Sequence, residues 1–220
     1  MTPIFPPPAP VLVPVKDSTE GFPVRRIFCV GRNYSDHVKE MGGDPARSVP
    51  VFFMKPADSY VPGGTPIPYP SATADLHHEV ELVLALGEGG RVFGSAVGVD
   101  LTRRDLQAIA RTAGAPWEAA KAFARSAPIG PITRGPAPEA GSISLSVNGE
   151  TRQSADLTDM TRGVEDLLAQ LAELFEPDAG DLVFTGTPAG VGALQPGDLV
   201  EAQIAGLTPL HFSIIAPKEA

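Results

Sequence analysis

The sequence contains one cysteine, Cys29, among its 220 residues, which excludes an intramolecular disulfide. Cys29 lies in the apolar run Ile27-Phe28-Cys29-Val30, a setting that favours an inert buried thiol over a nucleophile. The N-terminal segment lacks the basic and apolar regions of a secretion signal, and no run approaches the ~20 apolar residues that cross a membrane. We therefore expect a cytoplasmic protein with no membrane partner.

Positive charge is scarce as well. The chain has 17 Lys and Arg against 26 Asp and Glu, for a formal charge of −9, which argues against nucleic acid as a partner. The hydrophobic fraction of 43% is ordinary for a globular protein, and the length suffices for one buried core. A small anionic substrate remains compatible with this charge, provided that local Arg and Lys side chains hold it.

The distribution of proline and glycine, 24 and 23 residues, predicts the organisation of the chain. Residues 1–24 are rich in proline and predict an extended arm, whereas residues 25–217 form the predicted main domain. In that domain short apolar runs alternate with turns, which predicts an α+β, β-rich fold. The predicted strands are 26–30, 51–54, 79–86, 95–99, 143–147, 181–185 and 198–204.

Helical patterns are fewer, and one hairpin signal is strong. The patterns predict helices over 34–41, 102–112 and 161–175, with Gly163 as the weak point of the last. Asn148-Gly149 between two alternating segments predicts a two-residue hairpin turn.

Two glutamates stand two residues apart in the apolar run His77-His78-Glu79-Val80-Glu81-Leu82-Val83-Leu84-Ala85-Leu86. This run predicts a strand, and side chains two residues apart on a strand share a face. Their Cα atoms would lie about 6.5–7 Å apart, so both carboxylates could reach one ion. A solvated sheet surface would show the same spacing, and the pair alone leaves both interpretations open.

Asp100 strengthens the metal interpretation. It follows the predicted strand 95–99 and precedes Thr102-Arg103-Arg104-Asp105, which matches a capping box at a helix start. A carboxylate at such a corner can supply a third ligand to Glu79 and Glu81. Three carboxylates without a cysteine or histidine cluster suit Mg²⁺, Mn²⁺ or Ca²⁺ and fit zinc or copper poorly.

Six ordered motifs together resemble the fumarylacetoacetate hydrolase family, and most closely its branch of fumarylpyruvate and related acylpyruvate hydrolases. The motifs are Val30-Gly31-Arg32-Asn33-Tyr34-Ser35-Asp36-His37, Phe53-Met54-Lys55-Pro56, His78-Glu79-Val80-Glu81-Leu82, Asp100-Leu101-Thr102-Arg103-Arg104-Asp105-Leu106-Gln107, Pro116-Trp117-Glu118-Ala119-Ala120-Lys121-Ala122-Phe123 and Phe184-Thr185-Gly186-Thr187-Pro188-Ala189-Gly190-Val191-Gly192.

The resemblance implies a mixed β-sandwich roll with peripheral helices, a homodimer, and one Mg²⁺ or Mn²⁺ per subunit, with Ca²⁺ as a possible substitute. It places Glu79, Glu81 and Asp100 at the metal-ligand positions. One departure is the short connection 87–94 between the second and third ligands. It either trims a surface loop, which costs little free energy, or displaces Asp100.

The resemblance further implies cleavage of a carbon–carbon bond in a small anionic keto acid. The best single expectation is hydrolysis of 3-fumarylpyruvate to fumarate and pyruvate in aromatic catabolism. Oxaloacetate decarboxylation, isomerisation of a hydroxylated dienedioate, and an inactive keto-acid-binding relic are the alternatives. The acyl group that is cleaved depends on loops such as 42–50 and 57–75.

His37 and Glu40 stand three residues apart on a predicted helix, so they share a face and the carboxylate can orient the imidazole. The spacing alone also fits an exposed polar pair, but the resemblance implies a dyad whose histidine deprotonates water. His77 and His78 are interpreted as neighbours of the metal site and not as ligands.

Lys121 lies in an otherwise apolar stretch, where a buried ammonium would need an anionic partner, although a surface lysine with a buried stem is the alternative. The resemblance makes Lys121 and Gln107 catalytic residues that stabilise an oxyanion. It also implies substrate binding by Arg32, Arg104, Gln107, Lys121 and Thr187. A plain structural turn at 185–188 would explain its glycine but not its paired threonines.

Overall fold

The computed structural model describes residues 2–44 and 49–217. Strands dominate the described chain. They are β1 Leu12–Pro14, β2 Gly21–Pro23, β3 Arg26–Gly31, β4 Val51–Lys55, β5 Tyr60–Pro62, β6 Ile67–Pro68, β7 Leu76–His78, β8 Val80–Leu86, β9 Val92–Val99, β10 Thr102–Arg103, β11 Ala127–Ile129, β12 Thr133–Arg134, β13 Ser142–Val147, β14 Glu150–Asp156, β15 Asp181–Phe184, β16 Gly192–Leu194, β17 Leu199–Ile204 and β18 Leu210–Ile215.

The helices are short: α1 Ser35–Glu40, α2 Arg104–Ala113, α3 Glu118–Lys121 and α4 Val164–Leu174, with single 3₁₀ turns at Ala57–Ser59, Glu88–Gly90 and Leu157–Asp159. None of the helices in the described ranges is long and apolar enough to cross a membrane. The expected α+β, β-rich fold is confirmed.

Two mixed sheets form most of the molecule. The larger has the order β4-β3-β15-β8-β9-β11-β5, with β12 paired to β9, and the smaller has the order β14-β13-β17-β18-β6. A three-stranded sheet, β10-β7-β16, adjoins them. Pairing is mostly antiparallel, but β15 runs parallel to β3, which sets the loops after these two strands at the same edge.

The central strand β8 is buried along its whole length, because both of its faces contact a core. Leu82 and Leu84 belong to a large apolar cluster shared with the smaller sheet, including Leu145 and Val200. Alternate residues of the same strand, such as Val83, belong to a second cluster that also contains Cys29 and Phe184. The strand therefore reads as a continuous apolar run, interrupted only by Glu81.

Segment 12–23 lies against this second cluster. β1 and β2 pair as an antiparallel hairpin, and Val13 and Phe22 are buried in the cluster. The division into an arm over 1–24 and a domain over 25–217 remains a prediction.

The strand expected over 79–86 is confirmed as β8, which begins at Val80 and is separated from β7 by Glu79. One local expectation was wrong. The capping box at 102–105 does not form, because Thr102 belongs to β10 and Asp105 accepts hydrogen bonds from Thr73 and the Ala74 amide. Thr102 and Asp105 thus contact other segments of the chain and do not form the local contacts of a capping box.

The hairpin expected at Asn148-Gly149 is present between β13 and β14, and both turn residues have positive φ, 53° and 79°. This conformation matches the twist of paired strands and suits Asn-Gly. Of the loops expected to select the acyl group, 42–50 lies partly outside the described residues, since 45–48 are not described.

Candidate active site

Three carboxylates meet at one end of the β8–β9 hairpin. Val80 pairs with Val99, so the residues just outside this pair, Glu79 and Asp100, are neighbours across the hairpin. The Asp100 amide donates to the Glu79 carbonyl at 2.8 Å, which fixes their spacing. Glu81 follows on β8. The shortened stretch 87–94, whose last three residues begin β9, lies at the opposite end of this hairpin, and Asp100 lies beside the glutamates.

Oxygen atoms from Glu79, Glu81 and Asp100 all lie within 4.8 Å of one another, and the three residues are buried. Burial, with the Asp100 and Glu79 carboxylates, holds the pKa of Glu81 well above its ordinary value. Burial acts the same way on Glu79, but the Lys121 and Arg104 cations outweigh it and lower the pKa of Glu79. The neighbouring cations thus lower the pKa of Glu79 but leave that of Glu81 raised.

Two buried lysines contact this cluster. The Lys121 ammonium donates to Glu79 Oε2 and Asp100 Oδ2, both at 2.7 Å, and to Thr102 Oγ1 at 2.6 Å. Burial by itself would lower the pKa of Lys121, but the Asp100 and Glu79 carboxylates raise it overall. The expectation of an anionic partner for Lys121 is met by the protein itself.

Lys55 is the second lysine, and the sequence interpretation gave it no role. Its ammonium forms an ion pair with Asp100 Oδ1 at 2.8 Å and donates to Ser126 Oγ at 2.9 Å. It is 1% exposed. A lysine within the apolar strand β4 was the available signal, because a buried ammonium requires an acceptor.

The donor set fits a divalent cation. Carboxylate oxygens are the ligands that Mg²⁺ and Mn²⁺ prefer. A doubly charged ion would offset both the burial and the carboxylate repulsion that raise the pKa of Glu81. No histidine or cysteine belongs to this cluster in the described chain. His78 instead hydrogen-bonds Gln153 and His77 hydrogen-bonds Asp75, both at 3.0 Å, beside the cluster.

A cavity of about 210 Å³ opens over the carboxylates. Every residue expected at the site except Glu40 lines it: Arg32, His37, Glu79, Glu81, Asp100, Arg104, Gln107, Lys121 and Thr187. The wall also includes side chains that had no expected role, among them Met41, Phe53, Arg111 and Trp117. Only the packing of α1, α2 and β4 brings these distant segments to one wall.

Arg104 and Gln107 act as a unit at the start of α2. The Arg104 guanidinium donates to Glu79 and to the Gln107 side-chain oxygen. With its oxygen occupied in this way, Gln107 has its amide N–H₂ group left to donate towards a ligand. Their i,i+3 spacing places both side chains on the cavity face of the helix.

His37 and Glu40 form the expected pair on α1. His37 Nδ1 lies 3.0 Å from Glu40 Oε2, and their side chains are 11% and 33% exposed. The other carboxylate oxygen, Oε1, accepts from the Gly190 amide at 3.0 Å. The carboxylate is thereby fixed, and the pairing of Nδ1 leaves Nε2 of His37 available to exchange a proton.

The loop after β15 connects both halves of the site. The Gly186 amide donates to Glu81 Oε2 at 2.6 Å, while the Gly190 amide contacts Glu40. Both glycines have positive φ, 101° and 96°, and a Cβ at Gly190 would lie 2.1 Å from the Arg152 carbonyl oxygen. Only glycine fits this path.

Gln153 on β14 also holds the loop after β15 in place. Its Nε2 donates to Thr187 Oγ1 at 2.8 Å and to the Pro188 carbonyl at 2.9 Å, and its Oε1 accepts from the Val80 amide at 3.1 Å. It is fully buried. An isolated glutamine in a strand that is otherwise mostly exposed gave no sequence signal for this role.

The sheet-rich fold and the buried carboxylate triad define a protein with a site for a divalent cation. A family-wide profile described as "Fumarylacetoacetate (FAA) hydrolase C-terminal" matches residues 26–215. The chain therefore belongs to the fumarylacetoacetate hydrolase family, as its motifs predicted.

Relatives within this family have different names. The chain is 41% identical over 193 residues to "Oxaloacetate tautomerase YcgM" of Escherichia coli (strain K12), covering 80% of this chain and 87% of the relative. It is 39% identical over 203 residues to "Oxaloacetate tautomerase FAHD1, mitochondrial" of Rattus norvegicus, covering 86% and 91%.

Among solved structures, fumarylpyruvate hydrolase from Pseudomonas aeruginosa in complex with Mn²⁺ and pyruvate is similar with a TM-score of 0.96. It shares 46% sequence identity, and the match covers 98% of this chain and 100% of that one. That Mn²⁺ complex agrees with the cation that the triad of this chain suits.

Proposed function

We propose that the protein is a divalent-metal-dependent hydrolase that splits an acylpyruvate into a carboxylic acid and pyruvate, with 3-fumarylpyruvate as the best single substrate. The observation that carries this proposal is His37, which lines the cavity that contains the carboxylate triad and hydrogen-bonds Glu40 behind it. Hydrolysis needs a base that deprotonates the attacking water, whereas a reaction confined to enolisation has no attacking water. Similarity to a fumarylpyruvate hydrolase supports the same choice.

In the proposed reaction the 2-oxo acid end of the substrate lies at Glu79, Glu81 and Asp100, and Thr187 contacts its carboxylate. A divalent cation bound there would act as a Lewis acid towards the keto-acid oxygens. His37 removes a proton from water through Nε2, and the hydroxide adds to the distal carbonyl carbon. Glu40 holds the imidazole in the tautomer that accepts this proton.

The next step is cleavage of the carbon–carbon bond. The Gln107 amide stabilises the tetrahedral oxyanion by donating to it. All three N–H donors of Lys121 have acceptors, so contact with the oxyanion requires exchange of one, such as Thr102 Oγ1, for a substrate oxygen. Collapse releases the acid and the enolate of pyruvate, which takes up a proton, so one water is consumed per bond broken.

Oxaloacetate chemistry is the second candidate, because the relatives from rat and Escherichia coli are named oxaloacetate tautomerases. Interconversion of keto and enol forms, or decarboxylation, would use the same cation site and Arg104–Gln107 but no attacking water. A dienedioate isomerase would also omit the water. These activities can coexist with hydrolysis in one site.

The deciding experiment follows the absorbance of fumarylpyruvate with chelator-treated protein before and after addition of Mg²⁺ or Mn²⁺. We expect metal-dependent loss of the substrate and formation of pyruvate, both abolished in His37→Ala. Consumption of oxaloacetate with fumarylpyruvate untouched would select the second candidate. Binding of keto acid without turnover of either compound would indicate the inactive keto-acid-binding relic.

The homodimer and the cytoplasmic location remain predictions. Sedimentation tests the first, and cell fractionation tests the second.

A further inference from the structure

Helix α2 presents a row of three polar side chains to the cavity. Arg104, Gln107 and Arg111 follow at i, i+3 and i+7, the spacing of one helix face, and all three line the cavity. Seven residues of helix advance about 10.5 Å, so Arg111 lies roughly that far from Arg104 along the wall. The row therefore runs outward from the carboxylate triad.

The two arginines of this row have different surroundings. Arg104 is largely buried and paired with Glu79 at the triad. Arg111 is exposed, and its one hydrogen bond within the described residues goes to the Met41 carbonyl at 3.4 Å, a long contact to a neutral acceptor. It forms no ion pair in the described ranges. The guanidinium at the outer end thus keeps most of its N–H donors for a ligand.

Part of the cavity wall is apolar. Phe53 and Trp117 pack with their ring centroids 5.8 Å apart and their planes tilted by 55°, and both line the cavity together with Met41. These side chains suit the carbon chain of a ligand. Asp44 also lines the cavity.

We propose that Arg111 is a specificity-determining residue that binds a second carboxylate at the acyl end of the substrate. The substrate class is then a long 2-oxo diacid, held at the triad by one end and at Arg111 by the other. Guanidinium and carboxylate pair well because two parallel N–H···O bonds can form. This inference rests on the proposed function for one feature, the 2-oxo acid end bound at the cation site.

The distance separates substrate classes. Oxaloacetate has only four carbons, so both of its carboxylates remain near the triad and Arg104. A seven-carbon diacid such as fumarylpyruvate extends towards Arg111, whereas an acylpyruvate with a methyl end offers it no charge. Arg111 therefore favours the seven-carbon diacid over both shorter and uncharged alternatives.

The test is a binding measurement that needs no turnover. Calorimetry compares 2-oxoheptanedioate with 2-oxoheptanoate on the Mn²⁺-loaded full-length protein; both lack the second carbonyl group and cannot be cleaved. The wild type should bind the diacid about tenfold or more tightly, as a hydrogen-bonded charge pair provides. Arg111→Met should lose this preference, and Arg111→Lys should retain part of it.

Arg91→Met is the matched control, because Arg91 is an exposed arginine of the β8–β9 connection and its loss changes net charge equally. It should keep the wild-type preference. Arg32→Met tests a second arginine on the cavity wall besides Arg104. Equal binding of both ligands by the wild type, or a preference kept in Arg111→Met whether or not Arg32→Met loses it, would overturn the inference.

The hydrolase proposal and the proposed role of Arg111 can be refuted independently of each other. If the wild type prefers the diacid through Arg111 but releases no pyruvate from fumarylpyruvate, the hydrolase proposal is wrong and the ligand class stands. If it hydrolyses fumarylpyruvate and acetylpyruvate with equal kcat/KM in both wild type and Arg111→Met, the hydrolase stands and the role of Arg111 is refuted. With the role intact, Arg111→Met should raise KM for fumarylpyruvate alone and leave kcat unchanged.

Discussion

The two ends of the candidate active site are built in different ways. The carboxylate end is attached to β8 and β9, strands with cores on both faces, and its side chains are 1–6% exposed. The dyad end is attached to α1, a helix of six residues without a side-chain N-cap, and Glu40 is 33% exposed. The sheet therefore positions the carboxylates suited to a cation, whereas the proposed water activation would depend on a few contacts of a short helix.

The largest effect should come from the carboxylate end. We expect Glu81→Ala to abolish stable Mn²⁺ binding and all metal-dependent turnover, because two remaining carboxylates are neutralised by Lys55 and Lys121. Metal content after dialysis, followed by activity, measures this. Glu201→Ala, an exposed glutamate on β17, is the control and should behave as wild type. If Glu81→Ala bound Mn²⁺ with wild-type affinity, the assignment of the triad as the metal site would be wrong.

The dyad end should affect hydrolysis alone. His37→Ala should lower kcat for fumarylpyruvate by roughly 10²–10⁴-fold, the usual contribution of a general base. Its Mn²⁺ affinity should equal that of the wild type, since His37 is not part of the carboxylate cluster. Calorimetric titration with Mn²⁺ checks the second statement. A parallel loss of metal affinity would show that the two ends are not independent.

Gln153 lies between the two ends, and its replacement should have an intermediate effect. Gln153→Leu leaves the hydroxyl of Thr187 and the Val80 amide without their partner, at a cost of about 1–3 kcal/mol in the free energy of unfolding. Urea denaturation measures this cost. KM for the keto acid should rise, because Thr187 loses its support. Gln203→Leu on β17 is the control, and an equal loss there would show that the effect is not specific.

The smallest effect concerns Cys29, which lies in the second apolar cluster and does not line the cavity. Burial, with the Asp100 charge, raises the pKa of this thiol well above its ordinary value, so it stays neutral in the folded protein. Above about pH 8.5 the unfolded thiol ionises and the folded one does not, which favours unfolding. The free energy of unfolding should therefore fall with rising pH more steeply in the wild type than in Cys29→Ala. The two slopes should differ by up to about 1.4 kcal/mol per pH unit.

Urea unfolding of both proteins between pH 7 and 10 gives this difference in slope. Identical slopes would mean that the thiol titrates alike in both states. Native protein should also resist thiol-modifying reagents throughout this range, because only the thiolate reacts.

Local chemistry explains which features were predictable. The Asn148-Gly149 turn, the buried run of β8 and the i,i+3 spacing of His37 and Glu40 follow from backbone preferences and from periods of two and 3.6 residues. The carboxylate set followed from ligand chemistry and family motifs. Each of these signals lies within a few residues of chain, or within motifs that could be compared directly.

Other features depended on partners far away in the chain. One such feature is the break between β7 and β8 at Glu79. The others are contacts between segments that are distant in sequence: Asp105 with Thr73, Lys55 with Asp100, and Gln153 with Thr187. A buried polar group takes whichever partner the packed structure offers, because leaving it unpaired costs free energy. That choice outweighs a local preference such as a capping box.

The sequence by itself determined the β-rich class, the family, the three carboxylates and the histidine–glutamate pair. Only the tertiary structure decided that Lys55 pairs with Asp100, that Gln153 contacts Thr187, and that Arg111 lines the cavity. The physical reason is range: periodicity and motif record what neighbouring residues do, whereas the charge and shape of a cavity depend on segments that meet only after folding.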